Sequence, residues 1–375
     1  MKILFTGDLF TGGQLLEKSN SEIRIDIDSF INADQRICNL EQATSDNPII
    51  LDKSTVYSPE KGISFLINNK VDIVSMANNH MQDKGKPGFK DAMRLLTENN
   101  IKCAGAGSNI QQAEKALQLT DDLYLMAYCD NNKPYLRKIQ IATAEEYGIN
   151  PFSYEKVIED LERIPDGKQA ILYLHWGKEN VWFPPKGNIK IAKQLLEHPK
   201  VHSIIGAHSH RMQGRIKHSG KYAFFSLGNF LFPDFYMVPR SKMVYPDPIP
   251  SGVKTTKEYH PVFSLTKKIW KYSCRVSMIV ILKEGQFKEY FVKQKKRQPV
   301  VVELKGFEKL IMKSWYRLLS LFYKLPSSLY TSVEKSANIF DKLIKFMNIS
   351  FFYVIKERKV PSVAGLLKDG ALKKF

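Results

Sequence analysis

Val201-His202-Ser203-Ile204-Ile205-Gly206-Ala207-His208-Ser209-His210 is the stretch on which the fold turns. An apolar run of strand length ends in two small residues and then in two histidines at i and i+2. Where a buried strand opens into a loop, both imidazoles can turn toward one point. Neutral imidazole is a common ligand of divalent transition metals, so a strand-end His pair is a metal-site hypothesis. Taken alone it is weak, because His-x-His also occurs on ordinary solvated strands.

The pattern recurs with other ligand types. Lys2-Ile3-Leu4-Phe5-Thr6-Gly7-Asp8 ends in a carboxylate, and Arg36-Ile37-Cys38-Asn39-Leu40-Glu41 in an amide and a carboxylate. Val71 to Ala77 leads into Asn78-Asn79-His80, and Ala170-Ile171-Leu172-Tyr173-Leu174 into His175-Trp176-Gly177. Each is a short apolar run closed by a chemically active side chain. Neighbouring strand ends of an α/β sheet share one crevice, where ligands bind. The pattern therefore gathers Asp8, Glu41, Asn79, His175, His208 and His210 around one cavity. Such a mixed O and N set suits Mn, Fe or Zn better than Ca. Singly, Asp8 also reads as a turn or helix-capping residue, Glu41 as a solvated charge, Asn78-Asn79 as turn chemistry and His80 as a loop histidine. His198, His202, His218 and His260 lack the strand-end context and read as ordinary.

In order, Gly7-Asp8, Asn39-Leu40-Glu41, Ala77-Asn78-Asn79-His80 with Asp83 and Gly85, and Gly105-Ala106-Gly107 resemble motifs of a known family. His175-Trp176-Gly177 with Glu179, Gly206-Ala207-His208-Ser209-His210 and Ser226-Leu227-Gly228-Asn229-Phe230 complete the series. Over roughly residues 1–235 the chain resembles the CapA family, the poly-γ-glutamate capsule biosynthesis type, within the calcineurin-like metallophosphatase superfamily. The resemblance implies an α/β fold: a four-layer α/β/β/α sandwich, two mixed sheets flanked by helices, with the metal centre at the strand ends. The resemblance implies two ions about 3.5–4 Å apart that clamp a bridging hydroxide and a phosphoryl oxygen. Carried over, Asp8 and His210 hold the first ion, Glu41 takes the bridging place, and Asn79, His175 and His208 hold the second. His80 matches the histidine that assists the leaving oxygen. Asn39, Asn78, Glu179 and Asn229 are expected to orient ligands or touch substrate. Two departures stand out. The superfamily's Asp-x-His is here Asp8-Leu9-Phe10, and Glu41 replaces a bridging Asp, so one or two ions are expected.

The resemblance implies a metal-dependent hydrolase with a phosphoesterase-type centre, acting in synthesis of a capsule, poly-γ-glutamate or another exopolymer. The alternative is a non-catalytic accessory that binds an anionic surface polymer and docks a membrane synthase. A nucleic-acid phosphodiesterase ranks last, since the basic tail interleaves few aromatics and carries no nucleic-acid motif.

The 375-residue chain carries a net charge of +18, unevenly placed. Residues 254–375 hold 26 Lys/Arg against 9 Asp/Glu, and residues 1–253 are nearly balanced. That asymmetry points to an anionic polymer or surface as partner. Cys38, Cys103, Cys129 and Cys274 make no metal or disulfide framework, which fits a reducing compartment. The opening residues are too short for a signal-peptide core, and no run approaches membrane-spanning length. The expectation is a cytoplasmic protein, peripheral to the inner membrane face.

We expect a domain over 1–302, with a Pro-rich loop at about 233–273 and a closing hairpin at about 274–293. A basic helical tail is expected over 303–375. In its first helix Phe307, Leu310, Ile311, Trp315, Leu318, Leu319 and Phe322 share a face, with Lys309, Lys313 and Arg317 opposite and Pro326 as the stop. A second helix is read from a capping box, Thr331-Ser332-Val333-Glu334, with Val333, Ala337, Phe340, Ile344, Met347 and Phe351 as its apolar face. Such helices either pack on the domain or lie on an anionic inner leaflet, the more demanding use of a basic amphipathic surface.

Overall fold

The computed structural model describes residues 1–17, 23–51, 54–130, 139–245, 262, 264–296, 298–337 and 339. In chain order, the strands of its two large sheets are Lys2–Leu9 (β1), Arg24–Asp26 (β2), Gln35–Leu40 (β3), Ile73–Ser75 (β4) and Lys102–Ala104 (β5). Leu117–Gln118 (β6), Leu123–Cys129 (β7), Gln169–His175 (β8), Val201–Ala207 (β9) and Arg215–His218 (β10) follow. The last are Lys221–Phe224 (β11), Asn229–Leu231 (β12), Val276–Lys283 (β13), Gln286–Gln294 (β14) and Val300–Glu303 (β15). The main helices are Ile63–Asn68 (α1), Gly85–Glu98 (α2), Tyr154–Leu161 (α3), Lys186–Glu197 (α4) and Gly306–Phe322 (α5).

The first sheet runs β2-β15-β14-β13-β1-β3-β4-β5, with β12 paired beside β1; the second runs β10-β11-β9-β8-β7-β6. Both are mixed. β1, β3, β4 and β5 are mutually parallel, as are β7, β8, β9 and β11, while β13 and β14 form an antiparallel hairpin.

Period-two alternation explains how the second sheet is sandwiched. On β8, Ile171 and Tyr173 enter the core shared with the first sheet, while Ala170, Leu172 and Leu174 enter a separate core. β7 divides likewise: Leu125 and Ala127 face one core, Met126 and Tyr128 the other. Val157 and Leu161 of α3 and Ile189, Ala192, Leu195 and Leu196 of α4 close the second core. Phe65 and Leu66 of α1, with Phe89, Ala92 and Leu96 of α2, pack with the first sheet. The result is the four-layer α/β/β/α arrangement. Phe5 stacks on Tyr173 across the two sheets, with ring centroids 6.5 Å apart. Cys38 lies in this core, and burial pushes its thiol up to about 12, so it is a small inert hydrophobe.

Two readings of the C-terminal third need correction. In α5 the buried residues are Met312, Tyr316 and Leu319; Phe307, Leu310, Ile311 and Leu318 are exposed, Phe307 at 76%. The apolar arc covers more than half the helix, so periodicity alone could not choose its inner side. The second helix begins at residue 327, directly after Pro326, and Thr331 lies inside it. The Thr331 hydroxyl donates back to the Ser327 carbonyl instead of capping. Phe340, Ile344, Met347 and Phe351 lie outside the described residues. Within the stretch read as loop, Phe235–Met237 pairs antiparallel with Thr266–Lys268. Among the described residues no helix is long and apolar enough to cross a membrane.

Candidate metal centre

The two sheets bring their parallel strand ends to one point. Asp8 on β1 is in register with Asn39 on β3 and with Asn229 on β12. Glu41 follows β3, Asn78-Asn79-His80 follow β4, and His175 ends β8 beside Ala207 at the end of β9. The approach is close: a Cβ on Gly7 would lie 1.8 Å from the Gly228 carbonyl oxygen, and one on Gly206 would lie 2.0 Å from that of Phe225. His208 and His210 both adopt positive φ, 89° and 55°. Left-handed backbone is uncommon for a side-chain-bearing residue and is often held at functional sites.

Two triads of ligand-type residues result. Glu41, His175 and His208 form one, and Asp8, Glu41 and His210 the other; in each, potential ligand atoms lie within 4.8 Å of one another. All five residues are buried, and Glu41 belongs to both. Glu41 Oε1 lies 3.7 Å from His175 Nε2 and 3.8 Å from His210 Nε2. Both Glu41 carboxylate oxygens and Asp8 Oδ2 are buried without a hydrogen-bond partner among the described residues. A buried carboxylate lacking such partners is costly, and metal coordination is a standard remedy. The donor set fits a bound metal cation.

The electrostatics agree. Burial, then the charges of Asp8 and Glu179, push the Glu41 carboxyl well above its usual range. Burial opposes charging His210, yet the Asp8 carboxylate beside it and the Glu179 charge hold its imidazole above the ordinary value. The pocket therefore carries excess negative potential that a cation would neutralise.

Neighbouring amides orient the ligands. Asn39 Nδ2 donates to Asp8 Oδ1 at 2.8 Å and lies 3.2 Å from His175 Nδ1. Asn79 Oδ1 is 2.7 Å from His175 Nε2, on the side that faces Glu41. Asn229 Oδ1 is 2.8 Å from His210 Nδ1, leaving Nε2 directed toward Glu41. Asn78 serves the turn: its amide donates to the Leu40 carbonyl, and its Oδ1 accepts from the His80 backbone N–H. Glu179 is exposed, and its charge is felt by both Glu41 and His210.

His80 stands at the rim with its side chain 15% accessible and Nε2 4.0 Å from Glu41 Oε1. Its Nδ1 is 2.8 Å from Asp83 Oδ2, and that carboxylate oxygen also accepts from the Val56 N–H at 2.6 Å. Asp83 is thus an orienting partner that sequence reading noted without assigning a role; its i+3 spacing from His80 was the signal. Phe10, where the superfamily has a histidine, offers no ligand atom. It packs with Phe232, Phe235 and Trp270 in a small apolar cluster. Phe232 and Trp270 sit against His210, with ring centroids 5.2 and 5.0 Å away. Trp270 carried no sequence signal, because only the return of a distant segment places it there.

The family model described as bacterial capsule synthesis protein PGA_cap matches residues 2–234. The capsule biosynthesis protein CapA of Bacillus anthracis is 26% identical over 165 residues, 43% of this chain and 40% of that protein. The PGA biosynthesis protein CapA of Bacillus subtilis (strain 168) is 21% identical over 241 residues, 61% of this chain and 62% of its own length. The chain thus spans less than two thirds of either curated relative. Among solved structures, that of the Thermus thermophilus protein TT1561 aligns with 63% of this chain and 93% of its own. Its TM-score of 0.36 and 10% identity are too low to bear on the fold. The family match spans every ligand-bearing strand end described above, and the chain belongs to the bacterial capsule synthesis protein PGA_cap family, within the metallophosphatase-like superfamily.

Proposed function

We propose that the chain is a metal-dependent hydrolase with a phosphoesterase-type centre, acting in the synthesis of a capsule or related anionic exopolymer. The observation that carries this reading is Glu41, buried without a hydrogen-bond partner among the described residues and shared by two ligand triads. Asp8, Glu41 and His210 would hold one ion; Glu41, His175 and His208, with Asn79, the other. Bound Mn, Fe or Zn would supply Lewis acidity and an activated water. The chain's own residues do the rest. His80, oriented by Asp83, holds a proton at Nε2 for the leaving oxygen. Phe232 and Trp270 exclude water from the His210 side.

The test is metal analysis and turnover of a phosphomonoester and phosphodiester panel by the Mn- or Zn-loaded protein, beside His208→Ala. Loss of metal and turnover together in the variant is expected. Full activity in His208→Ala would overturn the assignment. The Phe10 departure favours one second reading, a non-catalytic polymer-binding accessory. Polymer binding by a metal-loaded protein that turns over no phosphoester would support that reading instead.

For partners, this proposal includes an anionic polymer and peripheral contact with an anionic membrane through α5. Phe307, Leu310, Ile311, Leu318 and Leu321 form an exposed stripe away from the buried face, with exposed Lys313, Arg317 and Lys324 along one flank. Apolar insertion beside a basic row is the chemistry that anionic headgroups recognise. At about 1 kcal/mol per basic residue near such a surface, replacing all three by Gln should weaken vesicle binding about a hundredfold. Sedimentation with phosphatidylglycerol vesicles should show this, and phosphatidylcholine vesicles should bind poorly. Equal binding to both, or no effect of the triple change, would sink the membrane contact.

A further inference from the structure

Two loops carry or follow the second sheet's ligands. Residues 176–185 follow His175, and residues 208–214 contain His208 and His210. They are stitched to each other: the Asn180 N–H donates to the Ser209 carbonyl at 2.7 Å, and the Ser209 hydroxyl donates to the Val181 carbonyl at 2.7 Å. Gln213 Nε2 donates to that same carbonyl at 3.1 Å.

The C-terminal helices close over this seam. The buried Tyr323 hydroxyl accepts from the Gly214 N–H at 2.9 Å and donates to the Trp182 carbonyl at 3.1 Å, so one oxygen bridges both loops. Ser320 Oγ accepts from the Arg215 N–H at 3.0 Å. The approach is tight enough that a Cβ on Gly214 would lie 2.7 Å from the Ser320 backbone nitrogen. Farther along, the Tyr330 hydroxyl donates to the Pro184 carbonyl at 2.6 Å, and Glu334 accepts from the Lys186 N–H at 3.3 Å. All these helical groups lie beyond residue 234, where the family match ends.

We propose that Tyr323 is a positioning residue of the metal centre, locking the loop that bears His208 and His210 against the loop that follows His175. The C-terminal helices then complete the ligand geometry rather than hanging from a finished domain. This rests on the metal-centre reading. Loss of the hydroxyl leaves two backbone groups without their shared partner and lets the loops slide past one another. Groups that orient ligands from one shell out typically change metal affinity by about 10–100-fold when removed.

The experiment compares full-length Tyr323→Phe with Tyr316→Phe, whose hydroxyl donates to Glu289 on β14. Cobalt(II) is the probe. In Tyr323→Phe the cobalt dissociation constant should rise at least about tenfold, the visible ligand-field bands should shift, and amides 209–214 should exchange faster. Tyr316→Phe should leave all three at the parent values even if its melting temperature falls. Parent-like spectrum, affinity and exchange in Tyr323→Phe would overturn the proposal, as would the same changes in both variants. Should the parent take up no cobalt, the metal reading fails, and exchange decides the loop lock alone. Faster exchange confined to Tyr323→Phe then supports the lock, and unchanged exchange overturns it.

Discussion

Replacing Glu41 by Gln is expected to abolish tight binding of divalent metal and, in the metal-free protein, to raise the melting temperature. Glu41 is the residue common to both triads, so in the proposed centre its loss would take a ligand from both positions. The sign of the stability effect follows from its titration. Burial, Asp8 and Glu179 raise the folded-state carboxyl above its unfolded value, so the folded state binds that proton more tightly. Stability from this group is full below the unfolded pKa and falls as pH rises toward the folded one. Gln, similar in shape and never charged, escapes that loss, so the variant's advantage over the metal-free parent should grow with pH. Melts in chelator across the acid-to-neutral range test this. Added Mn or Zn at a hundred times its dissociation constant should stabilise the parent by about 2.7 kcal/mol and the variant hardly at all. An equal metal-induced shift in Glu41→Gln would remove Glu41 from the ligand set.

His80→Ala should leave metal content intact and lower kcat for a phosphoester by about 10²–10⁴, the usual range for a lost general acid. The basis is positional. His80 is partly accessible at the rim, 4.0 Å from Glu41, and its other ring nitrogen is held by Asp83. Asp83→Asn should lower kcat in the same direction, by less, because the imidazole remains but loses its orienting charge. The informative comparison is kcat against bound metal. A parallel fall in both would make His80 a ligand; unchanged turnover would remove it from the chemistry.

Much of the centre was legible before any fold was known, because a strand that ends in a ligand residue writes both facts into one short stretch. Asp8, Glu41, Asn79, His175, His208 and His210 were found that way, and the structure brings all of them together. The partners that orient them were harder to read. Asp83 needed the His80 turn to be built, and Trp270 reaches His210 only because the segment after Phe235–Met237 doubles back to pair with it. The α5 assignment failed for a different reason: a helix apolar around most of its circumference does not say which side will be covered.

The apolar strand-length runs, the chemistry at their ends and the excess of positive charge in the last third could be read directly, since all are properties of neighbouring residues or of composition. Packing in three dimensions was needed to bring Glu41 within reach of His175 and His210 together, to set Phe10 in a cluster with Trp270, and to place Tyr323 across the two histidine-side loops. Those facts join residues far apart in the chain, as when the His208 backbone N–H donates to Asp8 Oδ1 at 3.3 Å across 200 positions. Such contacts are fixed by how two sheets and their covering helices pack, which no local pattern encodes.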